Sequence, residues 1–88
     1  MSQQVEVIIR RPGHPERRVM LGNGITHLGR AEDNELVLTD IGVSRRHARI
    51  LVQSRGATIE DMGSGNGTFF QGQRVKRQVL QDGDEVLL

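Results

Sequence analysis

Apolar residues recur at every second position over short stretches of this chain, and glycine-containing polar turns interrupt them at nearly regular intervals. Val5, Val7 and Ile9 alternate with Glu6 and Arg10, and Pro12-Gly13-His14-Pro15 ends the run with a turn that no helix tolerates. Arg17 to Leu21 returns as the second arm of a hairpin, Gly22-Asn23-Gly24 turns again, and Ile25 to Leu28 makes a third strand ending at Gly29. Leu36-Val37-Leu38 is a short apolar run, His47 to Gln53 alternates through Ala48, Ile50 and Val52, and Ala57-Thr58-Ile59 follows a turn at Arg55-Gly56. Thr68-Phe69-Phe70, a Gln71-Gly72-Gln73 turn, Arg74-Val75, and Glu85 to Leu88 after Asp82-Gly83-Asp84 complete the series. Turn signals fall about every eight to twelve residues, which predicts an all-β antiparallel sandwich or barrel. Ser44 to Leu51 is the one stretch with a helical alternative, since Ser44 is a good helix cap. Gly42 and the β-branched Val43, Ile50 and Val52 favour a turn leading into a strand.

The 88 residues give room for one domain, taken as residues 1–88, with a small core and a thin margin of stability. There is no cysteine, hence no disulfide or thiolate metal site, and His14, His27 and His47 are too far apart for a local ligand motif. No cofactor or metal is expected. Met1-Ser2-Gln3-Gln4 lacks a basic region followed by an apolar run, and no stretch approaches the length that spans a bilayer. The expectation is a soluble, cytoplasmic domain. The last residues, Val86-Leu87-Leu88, end without a polar residue closing the strand, as in a piece of a longer protein with one unguarded sheet edge.

A net charge of +1 provides no strong field to recruit nucleic acid or anionic lipid, and aromatic residues for base stacking are confined to Phe69 and Phe70. Eleven of the twelve basic residues are nevertheless arginine, the side chain whose planar fork matches phosphate oxygens two at a time. Arginine-rich composition also follows from GC-rich coding, so particular positions carry the argument.

Three loops concentrate chemistry: Gly29-Arg30 with Asn34 four residues on, Ser44-Arg45-Arg46-His47, and Gly63-Ser64-Gly65-Asn66-Gly67-Thr68. A guanidinium, a hydroxyl, a carboxamide and glycine-freed backbone N–H groups together suit a phosphate monoester and the peptide bearing it. Counting back from the inward Ala48, Ile50 and Val52 puts Arg46 inside and His47 outside, but a kink before Ala48 would change that phase. Alternation therefore leaves the side taken by His47 open, and a structural hydrogen bond is its ordinary role.

Other readings of these motifs fail on context. Ser44, His47 and Asp61 are a conceivable hydrolase set, but no G-x-S-x-G elbow or following helix accompanies Ser44. The glycine-rich loop lacks the Lys-Ser/Thr ending of a P-loop, and a strand follows where a helix is required. A calcium loop beginning at Asp61 would have Gly63 and Gly65 where oxygen ligands belong.

As a set, Gly29-Arg30, Ser44 with His47, Asn66-Gly67-Thr68 and Leu80-Gln81-Asp82-Gly83-Asp84 resemble the forkhead-associated (FHA) domain over roughly residues 5 to 88. The resemblance implies an FHA/SMAD-like sandwich of about ten to eleven short strands that binds phosphothreonine peptides at one end, without catalysis. Carried over residue by residue, it implies that Arg30 grips the phosphate, Ser44 donates its hydroxyl, Arg45 adds a basic contact, and Asn66 bonds the peptide main chain. Gly65 and Thr68 join them at the peptide, while Gly29, Asn34, His47 and Gly67 support the loops. The implied partner is a phosphothreonine protein in a Ser/Thr kinase pathway, with neither nucleic acid nor membrane involved. Gly65 departs from the hydroxyl or larger residue common before the asparagine in similar domains. The family's closing strand is also absent after Leu88, so the Val5–Ile9 strand is expected to lose a neighbour and to offer its edge for dimerisation or strand complementation. The alternative is an assembly domain of the same fold that ignores phosphate.

Overall fold

The computed structural model describes residues 4–54 and 56–88. Among the described residues ten strands follow in order: β1 (Gln4–Arg10), β2 (Arg17–Gly22), β3 (Gly24–Gly29), β4 (Leu36–Val37), β5 (Ala48–Gln53), β6 (Gly56–Asp61), β7 (Phe69–Phe70), β8 (Gln73–Arg74), β9 (Arg77–Leu80) and β10 (Asp84–Leu87). They form two five-stranded sheets, one ordered β2-β1-β10-β7-β8 and the other β4-β3-β5-β6-β9. The expected all-β sandwich is thus the observed architecture.

The period-2 stretches do what their pattern demands. Val5, Val7 and Ile9 of β1, and Ala48, Ile50 and Val52 of β5, point inward and meet Leu28, Ile59, Leu80 and Val86 in one core between the sheets. Full burial of each of the larger aliphatic side chains contributes about 1.5–3 kcal/mol. Gln71 and Gly72 both take positive φ, 50° and 80°, in the tight turn that pairs Phe70 with Gln73. Arg55 of the expected Arg55-Gly56 turn lies outside the described residues, as do Met1, Ser2 and Gln3.

Three expectations are corrected. First, the sheets are mixed: β1 pairs β10 in parallel and β3 pairs β4 in parallel, the remaining pairs being antiparallel. Chains that cross between sheets before returning need not pair as hairpins, and turn spacing carries no sign of this. Second, β1 keeps two neighbours, since Val7, Ile8 and Ile9 align with Asp84, Glu85 and Val86 on one side while β2 pairs on the other. The open edge expected beside β1, and strand complementation there, therefore have no place in this arrangement. Third, Arg77-Gln78-Val79-Leu80 lacks the clean alternation expected of a strand, yet it forms β9 and pairs with β6 along its whole length.

All three chemistry-bearing loops fall at one end of the β4-β3-β5-β6-β9 sheet, because β3 ends where β5 begins and β6 ends beside them. Leu28 pairs with Ala48, and Ala48 with Asp61.

Candidate functional site

Close backbone approach brings the first two loops together. Arg30 N–H donates to the Ser44 carbonyl at 3.0 Å, and Ala31 N–H to the Arg45 carbonyl at 3.2 Å. Gly29 makes this possible: a Cβ there would stand 2.2 Å from the Arg45 carbonyl oxygen. Asn34 is buried and donates from Nδ2 to the Ala31 and Arg45 carbonyls at 2.7 and 2.9 Å. The expected fastening of this loop by Asn34 is therefore present.

Arg30 is exposed, and its Nε is held by the Val43 carbonyl at 3.1 Å. This tether aims the guanidinium while its two terminal nitrogens have no protein partner among the described residues. Arg45 is exposed too, and its guanidinium makes no protein hydrogen bond among them. The two arginines, with Ala31, Glu32 and Asp33, line an open depression of about 500 Å³. Arg46 pairs with Asp33 and lines a second depression with His27, Asn34 and Glu35.

Ser44 Oγ accepts the Gly65 N–H at 2.9 Å, joining the second loop to the third. That bond occupies a lone pair and leaves the hydroxyl hydrogen available, since no acceptor for it exists among the described residues. Asn66, also exposed, donates from Nδ2 to the Gly42 carbonyl at 2.9 Å, which leaves a second N–H and Oδ1 without a protein partner among the described residues.

His47 is fully buried and staples these loops. Its Nδ1 accepts the Ser44 backbone N–H at 3.1 Å, so Nε2 carries the hydrogen and donates it to the Gly67 carbonyl at 2.8 Å. His47 and Ala48 are buried in succession, so a kink before β5 reverses the strand phase, the branch that alternation left open. With its ring nitrogens engaged on backbone groups, His47 forms no relay with the Ser44 hydroxyl and Asp61.

Asp61 organises the third loop. Its Oδ2 accepts the Gly63 and Ser64 N–H groups, both at 3.0 Å, and its Oδ1 accepts the Ser64 and Thr68 hydroxyls at 2.5 and 2.7 Å. Burial alone would push this carboxyl upward, but the Ser64 and Thr68 hydroxyls and the two backbone donors outweigh it and hold the pKa below its ordinary value. Thr68 was expected at the peptide; it is fully buried with its hydroxyl spent on Asp61, and belongs to the support instead. Ser64 in turn accepts the Gly67 N–H at 3.0 Å. Gly67 has φ +97°, and the Arg74 side chain covers it so closely that a Cβ would stand 2.7 Å from Nε. The available sequence signal was Asp61 placed two and three residues before donors it can cap.

Among the described residues there is no cluster of three or more metal-ligating side chains, and no helix long and apolar enough to cross a membrane.

The FHA domain family profile matches residues 26–88, and the chain belongs to that family. Glycogen accumulation regulator GarA of Mycobacterium tuberculosis is 36% identical over 80 residues, covering 91% of this chain and 49% of GarA. The oxoglutarate dehydrogenase inhibitor of Corynebacterium glutamicum is 32% identical over 80 residues, covering 91% of this chain and 56% of that protein. The chain thus spans about half the length of these curated relatives. A structure from a structural and functional analysis of phosphothreonine-dependent FHA domain interactions superimposes with a TM-score of 0.78. It shares 31% identity, over 98% of this chain and 85% of that one. Mycobacterium tuberculosis EmbR in complex with a low-affinity phosphopeptide gives a TM-score of 0.77 at 30% identity, over 99% of this chain and 22% of EmbR.

Proposed function

We propose that this chain is a phosphothreonine-dependent peptide-binding module that works by recognition, without catalysis, in a cytoplasmic Ser/Thr kinase pathway. The observation that carries this reading is the convergence of two unspent donors at one sandwich end: the Arg30 guanidinium fork held from behind by Val43, and the Ser44 hydroxyl hydrogen left over from the Gly65 bond.

A phosphothreonine brings about −1.5 to −2 charges and three acceptor oxygens. Arg30 takes two of these oxygens, Ser44 a third contact, and Arg45 adds positive charge across the depression. Asn66 reads the peptide main chain with its remaining N–H and Oδ1, and Gly65 shapes the wall beside it. Each charge-assisted bond contributes about 1.5–3 kcal/mol net, so two or three of them separate phosphorylated from unmodified peptide by orders of magnitude. The phosphothreonine-dependent relative supports this reading.

Calorimetry with one peptide in phosphothreonine, phosphoserine and unmodified forms tests it. Binding is expected for the phosphothreonine form and absent for the unmodified one; equal affinity for both overturns the reading.

A further inference from the structure

The outward face of the β4-β3-β5-β6-β9 sheet carries a pattern that the phosphopeptide site does not use. Residues directly opposite each other on antiparallel strands project from the same side. Ile25 pairs with Leu51, Leu51 with Thr58, and Thr58 with Val79, so these four side chains form one row across β3, β5, β6 and β9. Ile25 is 49% exposed and Val79 60% exposed. The adjoining row is charged: His27 pairs with Arg49, Arg49 with Glu60, and Glu60 with Arg77. Beyond the apolar row on its other side, Gln53 faces Gly56, without charge.

We infer that this face is a self-association surface, on which a second copy of the chain docks about a twofold axis running along the strands. That operator lays each row on its own reverse. Ile25 of one copy meets Val79 of the other, Leu51 meets Thr58, and Arg49 meets Glu60 twice. Glu35, whose Oε1 lies 2.8 Å from His27 Nδ1, brings a carboxylate to the corner where the other copy's Arg77 arrives. An axis along the apolar row instead sets the charged row, whose Arg49 and Glu60 already pair at 2.7 Å within each copy, against Gln53 and Gly56, removing water from it and supplying no new charged partner. The charge pattern thus selects one arrangement from two, and a closed twofold is the commonest oligomer symmetry.

The patch spans four strands spaced about 4.8 Å apart, and is smaller than the ~800 Å² per partner of stable complexes. Association is accordingly weak and depends on concentration. Rotation about an axis along the strands leaves both loop-bearing ends pointing the same way. If the phosphopeptide reading holds, the pair presents two sites to one doubly phosphorylated partner, whose second binding event becomes intramolecular.

Sedimentation equilibrium from about 10 μM to about 1 mM tests the pairing. The apparent mass is expected to rise from 9.8 kDa toward twice that value, and concentration-dependent amide shifts to map to β3, β5, β6 and β9. Ile25→Lys and Val79→Glu, both surface changes, each raise the dissociation constant about tenfold or more by setting an unpaired charge against an apolar residue. An equimolar mixture of the two variants recovers association, since the lysine of one meets the glutamate of the other. A wild-type chain that is monomeric at about 1 mM, or amide shifts elsewhere, overturns the inference. So do single variants that associate normally, or a mixture that stays monomeric. Calorimetry with a monovalent phosphopeptide on the same variants is expected to match wild type, so failure of the pairing and failure of the phosphate site read out separately.

Discussion

Ser44 and Gly65 share a hydrogen bond, 2.9 Å from the backbone N–H of Gly65 to Ser44 Oγ, that couples two loops separated by 21 positions. One oxygen thereby holds the neighbouring loop and keeps its own hydrogen unspent, free for the ligand that the proposed function places there. Ser44→Ala removes both, and phosphothreonine affinity is expected to fall about 10- to 100-fold, the range for one charge-assisted bond. Calorimetry reads the loss; a change below about threefold would remove Ser44 from the site.

Arg30 separates charge from geometry. Its Nε is tied to the Val43 carbonyl, so the terminal nitrogens are presented as a fork. Arg30→Ala is expected to abolish phosphothreonine binding while the melting temperature stays close to wild type, because the side chain is exposed. Arg30→Lys keeps the charge but loses both the fork and the tether, and is expected to lose about tenfold or more. A lysine variant binding as wild type would mean that only the charge is read.

Asn66 spends one amide hydrogen on the Gly42 carbonyl, and in the proposed reading the rest of the amide meets the peptide main chain. Because backbone atoms are common to all peptides, Asn66→Ala is expected to weaken a panel of phosphothreonine sequences by a similar factor. Loss confined to a few sequences would make Asn66 a reader of side chains.

Legibility from the sequence followed the balance of local and distant determinants. β1 and β5 were visible because inward Val5, Val7, Ile9 and Ala48, Ile50, Val52 alternate with polar or outward residues. Gly29, Asn34 and the three loops were visible because their chemistry is written in residue type. The β1–β10 pairing was hidden, since register between residues 77 positions apart is set by packing and leaves no local trace. Thr68 was misplaced for a related reason: a hydroxyl beside Asn66 suits a ligand as well as it suits Asp61, and only the fold shows which side of the loop it faces.

Asp61 makes the loop's stability dependent on pH. Its folded-state pKa lies below the ordinary value, so its bonds contribute fully above the usual carboxylate range near pH 4 and are lost as pH falls through the folded value. Wild type is expected to lose stability on acidification below about pH 4, and Asp61→Asn to lose less over that interval. At neutral pH the variant turns an amide N–H toward donors and is expected to cost about 3 kcal/mol, visible as a drop of more than about 10 °C in melting temperature. Identical acid profiles for the two proteins would show that other carboxylates govern the transition.

Gly29 and Gly42 give a matched pair for testing how tightly the loops are packed. Neither has the positive φ that strains an L residue, so the comparison isolates space. At Gly29 a methyl would stand 2.2 Å from the Arg45 carbonyl oxygen, and at Gly42 its nearest neighbour is the Asn66 amide nitrogen at 3.5 Å, an ordinary contact. Backbone cannot yield as a side-chain tip does, so Gly29→Ala is expected to destabilise by about 1–3 kcal/mol and to part the Arg30 and Ser44 loops, with phosphothreonine affinity falling in step. Gly42→Ala is expected to melt within a few degrees of wild type. Equal melting temperatures for the two variants would mean that the Gly29–Arg45 approach is looser than the geometry requires, and with it the pairing that sets Arg30 beside Ser44.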